Sequence, residues 1–371
     1  MRIAINTLAM KEQLYGVGNY IKHLVASLSR LDSNNEYVLF ASAQNAHHLQ
    51  DLGRNFLIEV VPSNRFLRLP WEQTLLPARL KEHRIDAFHG PTFIAPLRKS
   101  CRQVVSILDM TFHLTPERHS TLKCAYFRAM IPRMTKRSER IIAISESTKR
   151  DLVSLLKVDE EKISVTPLGV DQRFRPLNDA LELARVREKY RLPDKYILYV
   201  GMIEPRKNLE TLVDAYESAS VCAEFDLVLA GKFGWGYKPL LQKIAKSVVR
   251  KTIRLPGYVS DGDLPAVISM ASVFVYPSLY EGFGLPVLEA MACGTPVITS
   301  NVSSLPEIVG EAAILIDPYR TQSLVSALEG VLRDDHCKAS LAKAGLQRAQ
   351  LFTWERTAQK TLKVYEDLME L

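Results

Sequence analysis

Short apolar runs alternate with longer helix-like stretches along most of the chain, the pattern of strands buried on both faces and separated by helices. In the first half the runs predict strands at 3–8, 37–40, 57–61, 87–89, 103–108, 140–144 and 163–166, with helices at 19–29 and 147–156 among them. After Pro167-Leu168-Gly169 the pattern lapses, and the polar, charged, Pro-punctuated residues 171–194 read as a linker with one short helix. A second series predicts strands at 196–200, 227–230, 253–255, 273–276, 296–299 and 313–316. Its helices fall at 208–218, 238–249, 263–270, 285–292 and 322–332, and a last helix covers 354–371. The reading is α/β: two doubly wound parallel sheets, one over 1–170 and one over 195–350, followed by the tail 351–371. Two such sheets would leave a cleft, with ligands beyond the carboxyl ends of the strands, so chemistry is sought in the loops after each strand.

Composition leaves this picture intact, since 371 residues at 47% hydrophobic and 24% charged are ordinary for a globular protein and long enough for two domains. Charge adds something. Residues 1–176 carry 26 basic and 17 acidic side chains, a net +9, whereas the remaining 195 carry 22 and 24, a net −2. The asymmetry suggests two modules with different partners, one of them anionic or near an anionic surface. Five scattered cysteines (Cys101, Cys124, Cys222, Cys293, Cys337) with no Cys-x-x-Cys pair indicate neither a disulfide framework nor a zinc cluster and fit a reducing compartment. No signal-peptide pattern and no run of ~20 apolar residues is present, so a soluble or at most peripheral protein is expected.

The most specific motif is Glu281-Gly282-Phe283-Gly284-Leu285-Pro286-Val287-Leu288-Glu289, two carboxylates across a Gly-rich turn that opens a helix. Pro286 suits a first helical turn, and the N–H groups from Gly284 to Leu288 would form an anion site at the helix's positive end. A phosphate on those amides would leave Glu281 and Glu289 to accept hydrogen bonds from sugar hydroxyls on either side. A capping Glu plus a solvent-facing Glu is the bland alternative, and the Gly-Phe-Gly-Leu-Pro run speaks against it.

This segment resembles the Glu-x7-Glu motif of the family 4 retaining glycosyltransferases, which have the two-Rossmann GT-B fold. Gly201-Met202-Ile203-Glu204-Pro205-Arg206-Lys207-Asn208, Ala230-Gly231-Lys232, Pro256-Gly257-Tyr258-Val259, Pro277-Ser278-Leu279-Tyr280 and Ala292-Cys293-Gly294-Thr295-Pro296 are similar to that family's C-terminal domain. Gly16-Val17-Gly18-Asn19-Tyr20, Ile144-Ser145-Glu146-Ser147 and Pro167-Leu168-Gly169-Val170-Asp171 are similar to its first half, so the resemblance runs nearly end to end. It implies that Glu289 holds the nucleotide ribose, that Glu281 with the amides of Gly282, Phe283, Gly284 and Leu285 contacts the transferred sugar, and that Arg206 and Lys207 meet the diphosphate. Val259 is carried over as a further donor contact, and Gly16 and Gly18 as phosphate-approaching amides. It also implies that the tail 351–371 packs back toward the N-terminal domain. Where the family often has Arg after the strand-ending Gly, this chain has Met202, which leaves Arg206 to supply the second charge. Where the family's strand ends in His next to Asp, this chain has Leu108 before Asp109, so Asp109 and His113 are the candidate catalytic groups on that side, with His89 a weaker one.

Asp261-Gly262-Asp263 has a metal-like spacing but directly precedes a helix pattern, and N-capping explains it better. No cofactor and no metal are expected, the donor being a nucleotide diphosphate sugar. The segment 121–140 holds Lys123, Arg128, Arg133, Lys136, Arg137 and Arg140 against Glu139 alone. It reads either as a core-facing helix with a solvated basic edge or as a peripheral contact with an anionic membrane; nucleic-acid binding has no motif to support it. The implied enzyme moves a sugar, first choice mannose from GDP-mannose, to a glycan or lipid-linked acceptor at the cytoplasmic side of the membrane in surface polysaccharide synthesis. A transfer-inactive nucleotide-sugar-binding protein and a nucleotide-sugar epimerase are the competing readings.

Overall fold

The computed structural model describes residues 1–12, 14, 16–62, 68–116 and 121–370, with the side chain of Lys123 outside the described set. The chain divides into two compact units, Met1–Gly169 with Thr353–Leu371, and Val170–Phe352.

In the first unit β1 (Arg2–Asn6), β2 (Glu36–Ala41), β3 (Phe56–Val60), β4 (Ala87–Gly90), β5 (Arg102–Ile107), β6 (Arg140–Ala143) and β7 (Ile163–Val165) form one parallel sheet in the order β3-β2-β1-β4-β5-β6-β7. Ile3, Ala4, Ile5, Val104, Val105, Ile141 and Ile142 are fully buried, which is why these strands read as unbroken apolar runs. The strand order reverses between β1 and β4, the switch point where such sheets bind ligands. The helix Trp354–Met369 belongs to this unit and packs on the helix Gly16–Leu31. Its N-cap Thr353 accepts from Arg356 N at 3.2 Å, and Arg102 closes the other end by donating to the carbonyls of Leu368 and Met369 at 3.1 and 2.8 Å.

His89, a weaker catalytic candidate at the end of the strand predicted over 87–89, does lie in β4 but is completely buried rather than turned to a cleft. Its Nδ1 meets the Tyr365 hydroxyl at 2.6 Å and its Nε2 meets Ser106 Oγ at 2.8 Å, which in turn pairs with the Tyr20 hydroxyl at 2.8 Å. Burial drives its pKa down to about 3, so it is a neutral core residue that ties β4 and β5 to two helices.

The second unit repeats the plan with β8 (Tyr196–Val200), β9 (Asp226–Ala230), β10 (Ile253–Gly257), β11 (Val273–Tyr276), β12 (Val297–Ser300) and β13 (Ile314–Ile316), parallel in the order β10-β9-β8-β11-β12-β13. Residues 171–194, expected as a linker, fall within this unit. Their helix Ala180–Tyr190 is capped by Asp179, buries Val186, and turns its polar face to Asp263. That pairing also corrects the capping role expected of Asp263. Its side chain makes no cap bond to the helix Leu264–Ser269 and instead accepts from Arg185 at 2.7 Å, Lys189 at 2.6 Å, Tyr190 at 2.9 Å and Ser260 Oγ at 2.7 Å. Two cations and two hydroxyls outweigh one backbone N–H, and they hold the carboxyl far below its ordinary range against the opposing effect of burial.

Candidate active site

The sheet of the second unit reverses its strand order between β8 and β11, and the loops after these two strands carry Arg206, Lys207 and Glu281. Arg206 and Lys207 sit in a single 3-10 turn, Pro205–Lys207, closed by Asn208 in the left-handed conformation at φ 58°. The backbone joins the two loops, Leu279 N donating to Arg206 O at 2.9 Å. Their side chains converge. Lys207 Nζ lies 2.6 Å from Glu281 Oε1, and Arg206 Nη1 lies 2.7 Å from Glu281 Oε2. Ser278 Oγ donates to Glu281 Oε1 at 2.6 Å, Lys207 also donates to the Tyr276 hydroxyl at 2.5 Å, and Arg206 Nη2 pairs with Glu204 Oε1 at 2.9 Å.

Lys207 and Glu281 are 6% and 8% exposed, so this is a buried cluster of two cations and two carboxylates with matched charge. Burial alone would raise the Glu281 carboxyl, but Arg206 and Lys207 overcome it and hold the pKa down at about 2. Burial, with the neighbouring Arg206 charge, pulls the Lys207 ammonium below its ordinary value.

The turn after Glu281 is locked from the next loop: Glu281 N donates to Ser303 Oγ at 3.0 Å, and Ser304 Oγ donates to the carbonyls of Glu281 and Phe283 at 2.9 and 2.7 Å. Gly284 holds φ at 116°, which an L side chain rarely adopts, and so lets the chain turn into the helix Leu285–Ala292. The anion site is narrower than the motif suggested. Val287 and Leu288 donate their N–H groups back to Gly284 O at 3.0 and 3.2 Å, and Pro286 has none. Gly284 and Leu285 are the positions whose N–H groups have no backbone partner among the described residues. Phe283 turns its ring inward, edge-on to Phe352 at 6.0 Å, so what it offers a ligand is backbone.

Glu289, further along the helix, differs from Glu281. It keeps part of its surface, and its carboxylate makes no hydrogen bond or ion pair among the described residues. Burial pushes it up to about 7, with Arg173 opposing and Asp261 and Asp171 adding. A carboxylate held without a partner is poised to accept hydroxyls. Val259 follows β10 and is buried.

The remaining candidates belong to the first unit. Gly16 and Gly18 lie in the first turn of the helix Gly16–Leu31, where a loop before the helix was expected. Asp109, beyond the end of β5, uses Oδ1 to accept from Thr111 N at 3.0 Å and Thr111 Oγ1 at 2.7 Å, which fixes the turn into the helix Thr111–Leu114. Leu108 beside it is buried. His113, on that helix, has a buried Nδ1 with no partner among the described residues, and burial, with Arg128 adding, lowers its pKa. Sequence reasoning missed Ser303 and Ser304 and the pairing of Glu281 with both cations. Ser278 and Glu204 stood inside the quoted motifs, but nothing local shows which side chains they meet.

Two family models match the chain: "Glycosyltransferase Family 4" over residues 15–174 and "Glycosyl transferases group 1" over residues 183–348. It is 32% identical to the O-antigen chain mannosyltransferase B of Escherichia coli, over 99% of this chain and 100% of that protein. It is also 32% identical to the serotype-specific mannosyltransferase WbdA of Escherichia coli, there over 63% of this chain and 29% of that longer protein. Among solved structures, sucrose-phosphate synthase from Thermosynechococcus elongatus superposes with a TM-score of 0.81 at 21% identity, covering 100% of this chain and 99% of that one. HepE of Anabaena, solved in complex with UDP and glucose, gives 0.77 at 18% identity, with 100% of both chains covered. With both parallel-sheet units matched and a relative aligned along its whole length, the chain belongs to the family 4 glycosyltransferases of GT-B fold and is an enzyme of that class.

Proposed function

We propose that this glycosyltransferase moves mannose from GDP-mannose to a hydroxyl of a glycan or lipid-linked acceptor during assembly of a surface polysaccharide, with retention of anomeric configuration. The observation that carries the reading is the contrast between the two carboxylates of one motif: Glu281 locked on Arg206 and Lys207, Glu289 without a partner among the described residues. The mannosyltransferase names of the relatives supply the sugar and the setting. In this reading Arg206, Lys207 and the N–H groups of Gly284 and Leu285 hold the donor diphosphate. Glu289 accepts the ribose hydroxyls, Glu281 and the backbone of Gly282 and Phe283 meet the transferred sugar, and Val259 adds a donor contact. Gly16 and Gly18 offer further amides to phosphate.

When the bond from the sugar C1 to the phosphate oxygen breaks, its electron pair leaves with the diphosphate. Two fixed cations and preset N–H donors stabilise that growing charge without reorganising, and side chains supply here what a metal supplies elsewhere. The acceptor hydroxyl oxygen bonds C1 and releases its proton to a base, for which the first unit offers the imidazole of His113, its pKa lowered by burial, and the second oxygen of Asp109. The charge of the first unit fits a peripheral contact with anionic lipid at the cytoplasmic membrane face. A donor panel of GDP-mannose, UDP-glucose, UDP-N-acetylglucosamine and dTDP-rhamnose, read by thermal shift and by nucleotide release, tests the donor. GDP-mannose is expected to give the largest rise in midpoint and the fastest release; a preference for a UDP or dTDP sugar overturns it.

A further inference from the structure

The carboxyl ends of β1 and β4, where the strand order of the first sheet reverses, carry a polar cluster that includes none of the residues assigned above. Glu72, on the helix Arg68–Thr74, is completely buried. Its Oε1 accepts from Asn6 Nδ2 at 2.7 Å and from Arg68 Nε at 2.8 Å. Asn6 ends β1 and is itself fixed, its Oδ1 accepting from Leu8 N at 3.1 Å. Arg68 Nη2 donates to Thr92 Oγ1, just beyond β4, at 3.0 Å.

Two polar atoms in this place are buried without a partner among the described residues, Glu72 Oε2 and the Tyr126 hydroxyl. Tyr126 comes from the helix Thr121–Arg137, and its hydroxyl is pushed up to about 12 by burial, with Glu72 adding and Arg68 opposing. Anchoring the short helix to the sheet accounts for Oε1. It does not account for Oε2 or the phenol, each of which costs stability unless something satisfies it.

Arg68 neutralises Glu72, so the cluster has little to attract an anion. It offers instead an acceptor in Glu72 Oε2, a donor in Arg68 Nη1 and a group of either kind in Tyr126. Neighbouring hydroxyls of a sugar ring, each able to donate and accept, match that set, and an unpaired phosphate does not. We propose that Arg68, Glu72 and Tyr126 form the acceptor subsite and hydrogen-bond the hydroxyls of a neutral acceptor sugar. Arg68, half-buried, presents the face that the sugar meets, with the buried Glu72 Oε2 and Tyr126 hydroxyl as the further partners, while Asn6 and Thr92 position the ion pair. The assignment rests on the transferase reading and adds the class of acceptor group this unit recognises.

Saturation-transfer NMR with methyl α-D-mannopyranoside on the full chain tests it without any donor. Transfer is expected to wild type and is expected to be lost in Tyr126→Phe and Arg68→Lys. The unfolding midpoint of Tyr126→Phe should stay level or rise, because the change deletes only an unsatisfied hydroxyl, so a loss of transfer cannot be put down to unfolding. No transfer to wild type, equal transfer to wild type and Tyr126→Phe, or displacement of the glycoside by inorganic phosphate each overturns the proposal. GDP-mannose thermal shifts on the same samples report separately on the donor reading, and neither substitution should change them.

Discussion

Glu281 and Glu289 belong to one motif and one helix entrance, yet their surroundings drive them apart, and each difference can be measured. Glu281 is ionised against two buried cations, so Glu281→Gln leaves Arg206 and Lys207 without their shared counter-charge, a defect that costs about 3 kcal/mol. An anion that reaches the same cations should restore part of that loss. GDP is therefore expected to raise the melting midpoint of Glu281→Gln by more than it raises that of wild type, while sugar transfer falls; an equal rise in both would detach the two cations from the diphosphate. Because the folded pKa is depressed from 4.5 to about 2, the stability Glu281 contributes is present above pH ~4.5 and lost as the pH falls toward 2. Glu289 has the opposite sign. Its folded pKa is raised from 4.5 to about 7, so the proton it retains favours the folded state below pH ~4.5, and that advantage is gone once the pH has risen through 7. Glu289→Gln should accordingly stabilise the protein by roughly 1–3 kcal/mol at pH 8 and be near neutral at pH 4, by chemical denaturation at both pH values. The same substitution should weaken GDP binding at least tenfold at pH 8, by calorimetry, since a neutral amide is a poorer acceptor for ribose hydroxyls than a carboxylate.

Among the elements, the C-terminal helix depends most plainly on one small residue. Gly169, the last residue of the first unit before the chain enters the second, packs against the start of that helix so closely that an added Cβ would lie 2.2 Å from Trp354 N. The helix meets the segment next to it, Thr357 Oγ1 donating to Pro167 O at 2.7 Å, and buries Trp354, Ala358, Thr361, Val364, Tyr365 and Leu368 on one side. Gly169→Ala should force these backbones apart and cost 1–3 kcal/mol or more, and limited proteolysis should then release the helix before either sheet is cut. Undiminished protease resistance in Gly169→Ala would argue that the helix is held by its apolar side alone. This helix was legible in the sequence because its buried positions recur at helical spacing, and the strands were legible because burial on both faces makes them continuous apolar runs. The helices Arg68–Thr74 and Leu76–Glu82 were not, being only seven residues each, too short for a helical period to show, with Pro70 and Pro77 in their first turns. Asp263 misled for a different reason: its place before a helix favours a cap, but Arg185 and Lys189 from far along the chain claim it. The donor motif was visible as Gly-Phe-Gly-Leu-Pro between two Glu residues, whereas the meeting of Glu281 with Arg206 and Lys207 joins positions over 70 residues apart and exists only in the fold.

For the molecule as a whole, the two units sharpen the charge asymmetry seen along the chain. Residues 1–169 with 353–371 hold 27 basic and 20 acidic side chains, a net +7, whereas 170–352 hold 21 of each and are neutral. The neutral unit carries the cluster in which two cations are already matched by Glu281 and Glu204, so its charge is local and internally balanced. The excess lies elsewhere, and the helix Thr121–Arg137 gathers much of it: this helix contains no acid, buries Cys124, Met130, Ile131 and Met134, and exposes Arg128, Arg133, Lys136 and Arg137. Leu122 near its start is 85% exposed, an apolar side chain beside the basic edge. Among the described residues no helix is long and apolar enough to cross a membrane; what this helix offers a lipid surface is its basic edge, a site for electrostatic attachment. Each basic side chain near an anionic surface contributes about 1 kcal/mol, so changing all four to Gln should weaken binding to phosphatidylglycerol vesicles by about three orders of magnitude. The wild-type affinity should fall as salt is raised from 50 to 500 mM, roughly from a 14 Å to a 4 Å screening length, and neutral phosphatidylcholine vesicles should not bind. Co-sedimentation reads all three arms. Binding that ignores salt, or that survives in the fourfold variant, would place the charge in some role other than holding the enzyme at a lipid surface, because no uncharged contact predicts that dependence and no charged one escapes it.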